Sequence, residues 1–107
     1  MPVVLSEQGQ RRSFKGVEFV LLAVGQKSMV TKMNYKPGDF VPFHRHPNEQ
    51  SGYVLSGCYR LHLTGSEPRE LKAGDSYAIP SDVEHSIEII EAGEVVDVFT
   101  PPRLDYL

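Results

Sequence analysis

Along this chain, apolar runs and polar turn residues change places too often for helices. Stretches of strand character fall at 17–24, 28–35, 40–46, 52–55, 59–64, 76–79, 85–90 and 95–100. Between them stand turn formers such as Lys36-Pro37-Gly38-Asp39, Leu55-Ser56-Gly57, Thr64-Gly65-Ser66-Glu67-Pro68, Lys72-Ala73-Gly74-Asp75 and Glu91-Ala92-Gly93-Glu94. No run carries the three-and-four spacing of an amphipathic helix. Many short strands at even spacing predict an all-β sandwich or barrel. Pro101 and Pro102 should end the last strand, because neither can donate to a ladder.

Side chains two apart on a strand share a face. On this basis Phe40, Pro42, His44 and His46 share one face, and Val41, Phe43 and Arg45 the other. His85, Ile87 and Ile89 form a second set. Val95, Asp97 and Phe99 form a third, opposite Val96 and Val98. Polar groups thus stand among apolar ones on three separate strands.

Composition narrows the class. The chain has 107 residues, which fits one domain spanning 1–107. It carries 11 basic against 14 acidic side chains, a net charge of -3, so it lacks the basic excess of a nucleic-acid binder. No apolar run reaches a membrane span. The start, Met1-Pro2-Val3-Val4, lacks the basic and apolar regions of a leader. A single cysteine, Cys58, excludes an internal disulfide and a multi-cysteine zinc site, and the expected compartment is the cytoplasm.

His44 and His46, two apart, suit two cis ligands on one metal ion, and His85 follows downstream. His62 reads as a surface or rim residue, and Cys58 as a small buried or edge residue. Around the histidines, Gly38, His44, His46, Gln50 and Gly57 form one spaced pattern at 38–57. Gly74, Pro80 and His85 form another at 74–89. Together they resemble the two motifs of the cupin superfamily. Three positions depart from it: Asp82 stands for a glycine, Ile89 for an asparagine and Gln50 for an acidic ligand. The resemblance implies a double-stranded β-helix, a jelly-roll barrel holding a metal at its mouth. It implies His44, His46, Gln50 and His85 as ligands. Glu49 is the alternative to Gln50, but a one-residue shift turns it to the other face. This donor set suits Zn, Ni, Fe, Co or Mn. Cupins are commonly dimers that exchange an N-terminal strand. A homodimer is therefore expected, with 17–24, apolar on both faces, at the interface.

Asp97 sits on an otherwise apolar strand and needs a reason to be there. It either hydrogen-bonds a turn or pairs with an arginine, or it faces the metal as a proton donor or acceptor of raised pKa. Arg103 either clamps a substrate carboxylate or pairs with Asp105. The run from Asp97 to Tyr106, with Pro47, Glu49-Gln50, Gly52-Tyr53-Val54 and Gly57, resembles the KdgF-type pectin-degradation cupins. That resemblance implies a metal-dependent enzyme of uronate catabolism that linearises 4,5-unsaturated uronate monosaccharides. Asp97 would then handle the proton, Arg103 hold the carboxylate and Phe99 pack against the sugar. The alternatives are a non-catalytic sugar-binding or sensor cupin, or a different metal-dependent cupin enzyme such as a dioxygenase or polyketide cyclase.

Overall fold

The computed structural model describes residues 3–107. Met1 and Pro2, which open the expected domain and the segment read as lacking a leader, lie outside the described residues. Ten strands form: β1 (Gln10–Phe14), β2 (Val17–Val24), β3 (Met29–Tyr35), β4 (Phe40–His44), β5 (Glu49–Val54), β6 (Cys58–Leu63), β7 (Arg69–Lys72), β8 (Ser76–Ile79), β9 (His85–Glu91) and β10 (Gly93–Thr100). Short 3-10 turns, Ser6–Gln8 and Leu104–Tyr106, flank them. One antiparallel sheet runs β1-β2-β3-β10-β5-β8 and the other β4-β9-β6-β7. The two sheets face each other as the expected jelly roll. Among the described residues no helix is long and apolar enough to cross a membrane.

Alternation sorts most strands as read from the sequence. Val95, Asp97 and Phe99 are buried between the sheets, and so are Val17, Phe19 and Leu21 on β2. Met29, Met33, Tyr35, Val54 and Tyr59 complete most of the apolar interior. The 3-10 turn after β10 is anchored by Tyr106, whose ring lies 4.4 Å from that of Phe19 and 5.5 Å from that of Phe99. Burying one aromatic ring stabilises by roughly 1.5–3 kcal/mol, enough to hold so short a segment over the barrel mouth.

Three local expectations need correction. Strands β1 and β7 were not expected, because Gln10–Phe14 and Arg69–Lys72 are largely polar and mostly exposed edge strands that pair with one neighbour only. β5 begins at Glu49, ahead of the expected start at Gly52, because Thr100 and Phe99 of β10 pair with Glu49 and Gln50. The face shared by Phe40 and His44 is also broken. The β4–β9 register shifts between Val41 and His44, so Phe40 and Phe43 lie exposed while Val41 is buried. An extra residue at such an irregularity re-aims the side chains that follow it. β4 therefore ends at His44 rather than His46.

β1 pairs with β2 of the same chain from Gln10↔Leu21 to Phe14↔Val17. On β2 only one face is fully buried, and Glu18 and Val24 are exposed.

The turn after β5 is sterically exacting. Gly57 has φ +92, and a Cβ there would lie 2.7 Å from the Glu91 carbonyl oxygen and 2.6 Å from the Tyr59 hydroxyl. Gly57→Ala should therefore cost about 2–4 kcal/mol, combining the left-handed backbone penalty with overpacking. Urea unfolding should show a lower midpoint with an unchanged slope.

Candidate metal centre

Three elements bring the histidines together. His44 closes β4, His46 follows it in the loop, and His85 opens β9 directly opposite His44 in the ladder. Ring centroids lie 4.2 Å apart for His44 and His85, 5.0 Å for His46 and His85, and 5.5 Å for His44 and His46. One nitrogen from each ring lies within 4.8 Å of the others.

The backbone fixes which nitrogens converge. Nδ1 of His44 bonds the Pro42 carbonyl, Nδ1 of His46 that of Asn48, and Nδ1 of His85 that of Val83, each at 2.9 Å. A carbonyl only accepts, so each neutral ring carries its proton on Nδ1 and presents a bare lone pair at Nε2. Nε2 of His85 is buried and has no hydrogen-bond partner. An unpaired buried nitrogen costs free energy unless something else satisfies it.

Gln50 faces inward on β5 and Glu49 outward. The Gln50 Oε1 lies 3.1 Å from His46 Nε2. With the His46 proton on Nδ1, these are two acceptors facing each other. That spacing fits two cis donors on one cation, since bonds of about 2.1 Å at right angles place their donor atoms roughly 3 Å apart. The donor set thus fits a divalent transition metal ion, and three neutral imidazoles able to bind one are present.

Burial prepares these rings for a metal. It pushes all three imidazole pKa values down, that of His85 to about 4, and the nearby Arg103 charge adds to the effect. The rings are therefore neutral at neutral pH, and a metal need not compete with protons for them.

Asp97 lies beside this cluster, 2 % exposed. Neither a turn nor an arginine is its hydrogen-bond partner. Instead the Tyr77 hydroxyl donates to its Oδ1 at 2.5 Å. Burial raises its pKa to about 6, partly opposed by the Tyr77 and Gln50 hydrogen bonds and by the Arg103 charge.

Arg103 is buried at the rim, with its fork on Asp105 at 2.7 and 3.2 Å and a third bond to the Tyr106 hydroxyl at 3.0 Å. Its guanidinium also stacks over the rings of Tyr106, Phe14 and Phe99. Of the two alternatives for Arg103, the pairing with Asp105 is the arrangement present. Phe99 packs edge-on against His46 at 5.6 Å. The free space among these side chains is about 20 Å³, room for roughly one water or one ion.

His62 lies on the outer side of the second sheet, 3.5 Å from Glu88, away from the cluster. Cys58 is buried and unpaired. Sequence reasoning missed Tyr77, Tyr106 and Phe14. Tyr77 shares the inward phase of Ile79 on β8, a signal alternation could have supplied. Phe14 lies on a strand that was not recognised.

The comparisons with known proteins agree with this architecture. A family model described as the Cupin domain matches residues 31–99. The pectin degradation protein KdgF of Dickeya dadantii (strain 3937) is 29% identical over 94 residues, covering 86% of this chain and 84% of that protein. The crystal structure of an RmlC-like cupin from Shewanella frigidimarina NCIMB 400 superposes with a TM-score of 0.90 at 26% identity, covering 100% of this chain and 96% of that one. The structure of KdgF from Halomonas sp. gives 0.85 at 25% identity, covering 96% of each chain. With the two sheets, the inward histidines and a family match over most of its length, this chain belongs to the cupin domain family.

Proposed function

We propose that this cupin is a metal-dependent enzyme of pectin and uronate breakdown that linearises 4,5-unsaturated uronate monosaccharides. The observation that carries the reading is the convergence of three bare imidazole nitrogens beside a buried carboxyl of raised pKa. The similarity to proteins named KdgF, one of them a pectin degradation protein, supports a small sugar substrate. His44, His46, Gln50 and His85 would hold the ion. Bound there, it supplies a Lewis acid for substrate oxygens and water.

The chain's own residues do the rest. The substrate is a cyclic enol ether bearing a carboxylate. Asp97, protonated near its pKa of about 6, delivers a proton to the alkene carbon remote from the ring oxygen. Water adds at the neighbouring carbon, and the hemiketal collapses with cleavage of the bond to the ring oxygen. The water proton returns to Asp97. Arg103 orients the substrate by its carboxylate, which takes the place now filled by that of Asp105. Asp105 is half-exposed, so this exchange of one anion for another needs little rearrangement. Phe99 forms a wall for the sugar face. Because the enclosed space holds only about one water, Asp105 leaves the Arg103 fork to make room for the sugar carboxylate.

A homodimer belongs to the same reading. Val24, Val3 and Leu107 leave apolar surface on the outer side of β2, suited to a second copy. The lone cysteine suits a reducing cytoplasm.

Incubation of the metal-loaded protein with lyase-derived unsaturated uronate monomers should remove their alkene absorbance faster than the spontaneous reaction. Uronate binding with unchanged absorbance would make the protein a binder instead.

A further inference from the structure

Position 50 carries an amide, and an amide has a right and a wrong end. Its oxygen can donate a lone pair to a cation, whereas its NH2 cannot. Something must therefore hold the oxygen toward the histidines. The Gln50 Oε1 does point there, at 3.1 Å from His46 Nε2. The other end of the amide lies on the side of the Asp97 carboxyl and the Tyr77 oxygen, and it lowers the pKa of each.

The sheet builds this arrangement across three strands. Asp97 on β10 is paired with Gly52 on β5, and Gly52 with Tyr77 on β8. Tyr77 spans the missing side chain of Gly52 to reach Asp97. A Cβ at Gly52 would lie 2.1 Å from the Tyr77 Cζ and 2.4 Å from its hydroxyl oxygen. Gln50 shares the inner face with Gly52, two residues away. The Tyr77 hydroxyl spends its one proton on Asp97. Both oxygens are then left as acceptors for the Gln50 NH2. A flipped amide would set its carbonyl against the Asp97 carboxyl and leave the NH2 toward the histidines.

We propose that Tyr77 is a positioning residue which, with Asp97 and through the opening left by Gly52, locks the Gln50 amide with its oxygen toward the metal and its NH2 away from it. The inference rests on the ligand set in the reading above and adds the device that orients its only uncharged oxygen donor.

A double-mutant cycle read by cobalt(II) titration tests it, with affinity and the visible absorption bands as readouts. Tyr77→Phe keeps the ring and removes only the hydroxyl. In the otherwise unaltered protein it should weaken cobalt binding by about 10–100-fold, the usual range for a partner of a metal ligand, and shift the bands. In the Gln50→Ala background, with no amide to orient, the same change should alter affinity less than about 2-fold. An equal loss in both backgrounds, or none in either, overturns the inference and leaves the ligand set standing. If Gln50→Ala itself changes neither affinity nor bands, the ligand set fails and the inference goes with it. A second measurement needs no variant. In the unaltered protein, the Gln50 side-chain NH2 protons should show NMR cross-relaxation with the Tyr77 ring. Cross-relaxation with the His46 ring instead would overturn the proposal even if Tyr77→Phe does not fold.

Discussion

Saturation with zinc, nickel or cobalt should stabilise this protein by about 4 kcal/mol when the free ion stands a thousand-fold above its dissociation constant. For a domain of this size that is a rise in melting temperature on the order of 15 °C, measurable by calorimetry. The physical source is the set of Nε2 lone pairs, one of them, on His85, buried without a hydrogen-bond partner. His46→Ala or His85→Ala should erase the rise, each variant being compared with its own metal-free form. A response that survives both substitutions would place the ion elsewhere.

The pH dependence follows from the same burial. In the metal-free protein the His85 pKa is depressed to about 4, so its contribution to stability is present above pH 6.5 and lost as pH falls toward 4. Asp97 works in the opposite sense. Its pKa is raised to about 6, so stability is lost as pH rises from 3.8 through 6. Each shift corresponds to about 3 kcal/mol, and between roughly pH 4 and 6 the two largely offset. A bound metal keeps His85 unprotonated. The stabilisation by metal should therefore persist at pH 6, where an unperturbed imidazole would already be mostly protonated.

Asp97→Asn should lower the rate of uronate ring opening by about 10²–10⁴-fold, the range supplied by a positioned proton donor. The fall should appear in kcat, with KM changed much less, because the carboxylate is held by Arg103 rather than Asp97. The assay needs saturating metal, since Asp97 also touches the Gln50 amide. The asparagine can still accept from Tyr77, so the packing of the barrel is kept. Because Asp97 is buried and its pKa lies near 6, the unaltered enzyme should lose activity as pH rises above 6 and the proton is lost. An Asp97→Asn protein that keeps its metal and the full rate would remove Asp97 from the chemistry.

The sequence was informative wherever structure is written locally. The inward set Val95, Asp97 and Phe99 follows from alternation alone, and the structure buries all three. The period of two sets Gln50 and Glu49 on opposite faces, the spacing of the resembled motif names Gln50 as the ligand, and the structure turns Gln50 inward and Glu49 outward. The polar edge strands β1 and β7 escaped because they bury little, so no hydrophobic pattern marks them. The face of Phe40 was misjudged because a register shift breaks the period at the point where the site begins.

The sequence by itself determined an all-β sandwich or barrel, the three histidines and the residue types able to serve a metal, while the jelly roll was implied by the resemblance of its two motifs to the cupins. It could do so because turn chemistry and alternation act over two to four residues. Only the tertiary structure decided that Tyr77 rather than a turn or an arginine meets Asp97, that the Arg103 fork rests on Asp105, and which nitrogen each ring turns inward. The first of these depends on which strands become neighbours and in what register, and the other two on the path the backbone takes around residues two apart. Tyr77 reaches Asp97 only because β5 lies between their strands with a glycine at the crossing point. That pairing of residues 20 positions apart follows from the strand order within one sheet, and no local pattern records it.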